Sequence, residues 1–140
     1  MACRGVRGAT TVARDEREEL LSAATELLLQ MAEVNGILPD DLAAVLFTCT
    51  PDLLAAFPAE AARRLGWRHV PLLDAQEMAV PGTLPRCLRI LMLWNTDMPA
   101  QGIRHVYLRE AQRLRPDLAV GATSVDGEGE ASGHRDEARS

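Results

Sequence analysis

The run Cys87-Leu-Arg-Ile-Leu-Met-Leu-Trp94 is the most apolar stretch of the chain, and it limits the fold more than any other segment. It alternates as a strand does: Cys87, Arg89, Leu91 and Leu93 share one face, Leu88, Ile90, Met92 and Trp94 the other. A guanidinium on a largely apolar face must meet an anion or stay under water, because desolvating it alone costs several kcal/mol. Arginine cannot shed its proton to escape that cost. No acid occurs among its immediate strand neighbours. Something negative, a side chain or a ligand, is expected over this face.

The segments around it read as a short alternation of strands and helices. Residues 2–8 form a first strand, with Cys3, Gly5 and Arg7 on one face. Asp15, with Glu18 three residues on, has the spacing of a capping box. It opens a helix whose stripe is Leu20, Leu21, Ala24, Leu27, Leu28 and Met31, ended by Asn35-Gly36. Pro39-Asp40-Asp41 starts a short turn or helix leading into a second strand, Ala44–Thr48. Pro58 suits the first turn of a helix running to Leu65 and stopped by Gly66. Trp67–Leu73 reads as a third strand, Pro81-Gly82 as a turn, Cys87–Asn95 as a fourth strand, and Ile103–Leu108 as a fifth that extends toward Arg113.

The order β, α, β, α, β, β, β predicts an α+β domain: a five-stranded mixed β-sheet with helices packed on one face. The last strands follow one another too closely for helical crossovers, so the sheet cannot be all parallel. Two helices cover only one face. The other, carrying Arg89, then needs a subunit partner or a ligand.

With 140 residues and 47% hydrophobic content the chain is expected to bury a real core as one domain, residues 1–120. Residues 121–140 hold five acids, two arginines and almost no large apolar side chain, and read as a disordered acidic tail. No stretch approaches the roughly 18 apolar residues of a membrane span, and no apolar segment follows Arg4 as in a signal peptide. Cys3, Cys49 and Cys87 fit neither metal spacing nor an even disulfide framework, which suits a cytoplasmic protein. A net charge of −5, without a basic aromatic stripe, argues against nucleic acid as a partner.

Most catalytic equipment is missing. The chain has no glycine-rich phosphate loop, no nucleophile elbow and no cluster of metal-ligating residues. Arginines stand out instead: Arg7, Arg63, Arg89 and Arg115, with Glu77 and Tyr107 as polar companions. Arginine forks suit carboxylates and phosphates. Each residue also has a plainer role open to it. Arg7 could be an exposed strand residue, Arg63 a solvated helix residue, and Glu77 a surface acid. Arg115 could close a turn through Asp117, and Tyr107 could be a core tyrosine with one hydrogen bond. His105, Trp67 and Trp94 read as structural.

Several segments, taken together and in order, carry a resemblance. They are Arg4-Gly-Val-Arg-Gly-Ala-Thr-Thr11, Thr50-Pro-Asp-Leu53, Phe57-Pro-Ala59, Gln76-Glu-Met78, Ile103-Arg-His-Val-Tyr-Leu108 and Leu114-Arg-Pro-Asp-Leu118. Over residues 3–118 the chain resembles the small monofunctional chorismate mutases of the trimeric, mixed α/β type. The resemblance implies a homotrimer with a pseudo-barrel core and active sites at subunit interfaces. It also implies isomerisation of chorismate to prephenate, a unimolecular [3,3] rearrangement that requires no cofactor, metal or nucleophile.

By this resemblance Arg89 contacts the ether oxygen and a carboxylate, and Arg7 belongs to the same catalytic set. Tyr107 would hydrogen-bond a substrate carboxylate, and Glu77 would face the ring hydroxyl and the positively polarised ring edge. Arg63 and Arg115 would close over the carboxylates at the mouth, while Phe57, Ala59 and Leu73 form part of the wall. Glu60 and Asp74 depart from the family, which has a lysine and a cysteine there. Both bring negative charge toward a dianionic substrate, which Coulomb repulsion should oppose, although Asp74 could accept a hydrogen bond from the ring hydroxyl. Two rival readings share the arginine pocket. One is a non-catalytic trimeric carboxylate-binding regulatory module; the other is an imine or enamine hydrolase, for which no water-activating group is visible.

Overall fold

The computed structural model describes residues 1–115. The boundary expected at residue 120, the acidic tail and the Arg115–Asp117 turn therefore lie wholly or partly outside the described residues. Five strands form one mixed sheet: β1 (Ala2–Thr11), β2 (Leu42–Cys49), β3 (Leu72–Gln76), β4 (Cys87–Thr96) and β5 (Val106–Tyr107), in the order β3-β2-β4-β1-β5. The long central strand β4 runs antiparallel to both β1 and β2, while the edge strands β3 and β5 lie parallel to their neighbours.

Two helices, α1 (Arg17–Asn35) and α2 (Ala59–Arg64), accompany the sheet. The stripe expected on α1 is buried, from Leu20 to Met31. It packs with Val6, Leu88, Ile90, Met92 and Trp94 in one core. Each of these larger side chains contributes about 1.5–3 kcal/mol by leaving water. The approach is closest at Gly8, where a Cβ would collide with the Met31 thioether. The alternation foreseen for β4 holds: Leu88, Ile90, Met92 and Trp94 are buried, while Arg89 and Leu93 are half-buried and Leu91 is exposed.

Three local expectations are corrected. Asp15 does not cap α1. Glu16 does, accepting from the Glu18 and Glu19 amides. Asp15 serves the loop after β2, accepting from the amides of Leu54 and Ala55 at 2.9–3.1 Å. These are loop donors with no ladder to join, and a carboxylate satisfies both.

The third strand begins at Leu72, not Trp67. Gly66 has φ +85°, and the Trp67 amide still bonds back to Ala62 of α2. The chain is therefore turning through these residues. Trp67 and Val70 enter the core from that turn, and pairing with β2 starts only at Val45 opposite Leu72. The later start moves the edge strand along the chain and brings Glu77 to its end, where its amide bonds to the Cys49 carbonyl at 2.9 Å.

The fifth strand shrinks to Val106–Tyr107. The Asn35 side chain takes both main-chain groups of Arg104, at 2.9 and 2.8 Å, so that residue has nothing left for a ladder. Past Tyr107 the chain curls into a 3-10 turn over Arg109–Arg113 rather than continuing as a strand.

The Thr50-Pro-Asp52 segment proves to be a latch. Thr50 and Cys87 exchange main-chain and side-chain hydrogen bonds: the Thr50 amide donates to the Cys87 carbonyl at 3.0 Å, and the Cys87 amide to Thr50 Oγ1 at 2.9 Å. Thr50 Oγ1 in turn donates to Asp52 Oδ1 at 2.6 Å. Asp52 also accepts the Arg86 amide, at 2.9 Å to Oδ2. Arg86 reaches this position in a left-handed conformation, φ 47°. Burial tends to raise the Asp52 carboxyl, but the Thr50 hydroxyl and neighbouring amides outweigh it and hold its pKa below the ordinary value.

Candidate functional site

Register places the functional groups in a row across the helix-free face. Thr48 of β2 lies opposite Arg89, Arg89 opposite Ala9 of β1, and Ala9 opposite Tyr107 of β5. Arg7 stands two residues along β1 from Ala9, on the same face. Because alanine separates Arg89 from Tyr107, the row has a gap where a larger side chain would fill it. The resulting cleft, about 220 Å³, is bounded by Arg7, Ala9, Leu46, Thr48, Arg89, Leu91 and Tyr107, with the backbones of Gly8 and Ile90 beneath.

The anion demanded by Arg89 comes from beyond its strand neighbours. Glu77 Oε2 lies 3.1 Å from Arg89 Nε, with both side chains largely buried. The same oxygen accepts a 2.6 Å hydrogen bond from Thr48 Oγ1. The N–H of Arg89 Nε is not aimed at the carboxylate and makes no hydrogen bond, so the pair is held by charge rather than by a directed bond. Thr48 was not among the residues singled out from sequence. Its place at the end of the second strand was visible, but the β2–β4 register that sets it beside Arg89 was not.

His105 supports the other end of the row. Its Nδ1 accepts the Arg7 amide at 3.0 Å, standing in for a ladder carbonyl. Burial, with the nearby charges of Arg7 and Arg115, pushes its pKa down to about 4, so the imidazole is neutral and an acceptor at neutral pH. The structural reading of His105 stands. Tyr107 and Arg115 are buried, and Arg115 is a packed group in this structure rather than an open one. Burial raises the thiols of Cys87 to about 11 and Cys49 to about 12, which leaves them protonated at neutral pH.

The remaining candidates gather elsewhere, around α2 and β3. Phe57, Leu73 and Arg63 are exposed, and Ala59 is buried. None of them lines the cleft within one subunit. The two departures from the family find partners here. Asp74 Oδ1 accepts the Ala59 amide at 3.0 Å. Burial raises its pKa, opposed by that hydrogen bond and by the charge of Arg63. Glu60 Oε2 lies 2.6 Å from Arg17 and 3.5 Å from Arg64, so its charge is largely compensated.

Among the described residues, the arrangement combines fixed arginines with an acid and holds no activated nucleophile. It suits binding and polarising a small carboxylated molecule. Comparison with known proteins agrees. The family description chorismate mutase type I matches residues 3–118. The chain is 61% identical over 116 residues to chorismate mutase AroH of Thermus thermophilus, covering 82% of this chain and 95% of that protein. It is 49% identical over 121 residues to chorismate mutase AroH of Bacillus subtilis, covering 86% and 95%. A solved chorismate mutase from Clostridium thermocellum superposes with a TM-score of 0.77 at 45% identity, over 78% of this chain and 97% of that one. The chain belongs to the chorismate mutase type I family.

Proposed function

We propose that this protein is a chorismate mutase that converts chorismate to prephenate in the cytoplasm. The observation that carries the reading is the Arg89–Glu77 pair beside Arg7, Thr48 and Tyr107 on an open sheet face. In the rearrangement the ether C–O bond breaks while a C–C bond forms within one molecule, and no proton changes hands. Two tasks are left to the protein. It folds the flexible dianion with its enolpyruvyl arm over the ring, which removes an entropic part of the barrier. It also meets the negative charge that grows on the ether oxygen, and a fixed guanidinium does this at no cost of reorganisation.

Arg89 takes the ether oxygen and one carboxylate, while Arg7 and Tyr107 fix the other carboxylate end. Glu77 faces the ring, where electron density is lost as the bond breaks. Its hydrogen bond from Thr48 holds it in place. Arg63 and Arg115 belong to the mouth, with Phe57, Ala59 and Leu73 as wall.

Within one subunit Phe57, Ala59, Arg63 and Leu73 do not line the cleft, which supports a homotrimer whose sites lie between copies. The exposed apolar side chains Leu54, Phe57, Leu73, Met78 and Val80 supply surface for such contacts. The test is consumption of chorismate by purified protein with prephenate as product. Saturable turnover supports the reading. Tight binding of prephenate without turnover would favour the carboxylate-binding module instead.

A further inference from the structure

The helix α2 spans six residues, Ala59–Arg64. A helix this short forms at a net cost, since fixing its first turn yields few hydrogen bonds. Its N-cap is Pro58, whose side chain makes no capping hydrogen bond. The first amide of the helix, on Ala59, is satisfied instead by Asp74 Oδ1 at 3.0 Å, reaching over from β3. A carboxylate at that end also suits the helix dipole.

Arg63 follows Ala59 by four residues and so shares its side of the helix. Its charge is felt by the Asp74 carboxyl. The other polar ties of α2, Glu60 to Arg17 and Arg64 to Glu18, run to α1 and are solvent-exposed on at least one partner. Such pairs hold little. The buried contacts of α2 are alanines, Ala59, Ala61 and Ala62, which seat the helix but fix its rotation weakly.

We propose that Asp74 is a positioning residue for Arg63: by accepting the Ala59 N–H it fixes the start of α2 against β3, and with it the stance of the Arg63 guanidinium. This rests on the chorismate mutase reading and reverses the simplest electrostatic expectation for this acid. Asp74 adds negative charge near the site, yet its net effect on substrate binding is favourable because it orders a cation.

The experiment is a kinetic cycle on the full chain with chorismate: Asp74→Ala, Asp74→Asn, Arg63→Ala and Asp74→Ala/Arg63→Ala. It is paired with amide hydrogen exchange at Ala59. Loss of a cap should raise KM about fivefold in Asp74→Ala, with a smaller change in kcat. Ala59 exchange should accelerate in the same variant. Asp74→Asn, whose amide oxygen still accepts, should recover most of both. In the Arg63→Ala background, Asp74→Ala should add no further loss, because the residue it positions is gone.

A fall in KM for Asp74→Ala or Asp74→Asn would mean that charge repulsion dominates, and would overturn the proposal. So would a KM penalty that persists undiminished in the Arg63→Ala background. Should Asp74→Ala fail to fold, Asp74→Val, which also lacks an acceptor and suits a strand, takes its place in the cycle with the same outcomes. Absence of turnover in the unmutated chain would sink the chorismate reading and this inference together. An active wild type with an additive cycle would sink the inference alone.

Discussion

Arg89 and Arg63 carry the same guanidinium on very different supports. Arg89 rises from the middle of the central strand, flanked by ladders on both sides and backed by α1. Arg63 is exposed on a six-residue helix beside the edge strand β3, and the amide that opens this helix bonds to an acid from another element. Strand pairing fixes a side chain to within one face and one row, and a slip of a single residue would invert it. A short helix offers no such guarantee. On the function proposed, the chemistry that tolerates least displacement, charge placed at a breaking bond, belongs to the sheet. The groups that need only attract and enclose belong to the edge.

Replacing Arg89 by lysine should have the largest effect. The charge remains but the fork does not, and kcat should fall by about 10²–10³ with KM changed less. Steady-state kinetics on variant protein whose circular dichroism and oligomeric size are unaltered would measure it. A loss confined to KM would erase the distinction drawn between the two supports, since Arg89 would then act only as a binding group.

Thr48→Val probes the support of Glu77 without touching the acid. Losing a hydrogen bond to a charged group should lower kcat about tenfold. An unaltered kcat would mean that Arg89 alone holds Glu77.

The smallest effect concerns His105 and stability. Its folded pKa, about 4, lies below the ordinary 6.5. The unfolded chain therefore binds the extra proton first, and stability must rise with pH across that window. The contribution of His105 is complete above about pH 6.5 and is lost as pH falls toward 4, when protonated Nδ1 can no longer accept the Arg7 amide. Melting temperatures measured between those limits should fall in the wild type and fall less in His105→Gln.

The sheet centre was the more legible of the two regions. Alternation in Cys87–Trp94 placed Leu88, Ile90, Met92 and Trp94 on the buried face and Arg89, Leu91 and Leu93 on the other, and the apolar stripe of α1 named the core it would cover. The burial cost of a guanidinium correctly demanded an anion. It could not say which, because Glu77 lies ten residues before the β4 run and meets Arg89 only through the β2–β3 and β2–β4 registers. The α2–β3 region read less well. Trp67 and Val70 have strand-like composition, but Gly66 turns the chain, and their apolar side chains enter the core from a loop. Asp15 was misjudged as a cap, and the partner of Asp74 was not foreseen, for a shared reason: each bonds an amide distant in sequence, at Leu54 and Ala59, and local patterns carry no information about such partners.

The Thr50–Asp52–Arg86 latch gives this fold an unequal tolerance to insertions. Extra residues in the turn around Pro81-Gly82 precede the point where β4 is clamped, and the strand beyond them would keep its phase. One residue added between Cys87 and Arg89 falls after the clamp. It would rotate the remaining strand by half a pleat, delivering the guanidinium into the hydrocarbon beneath α1 and Met92 into water. Length variation in this family should therefore accumulate on one side of Arg86 and stop abruptly on the other.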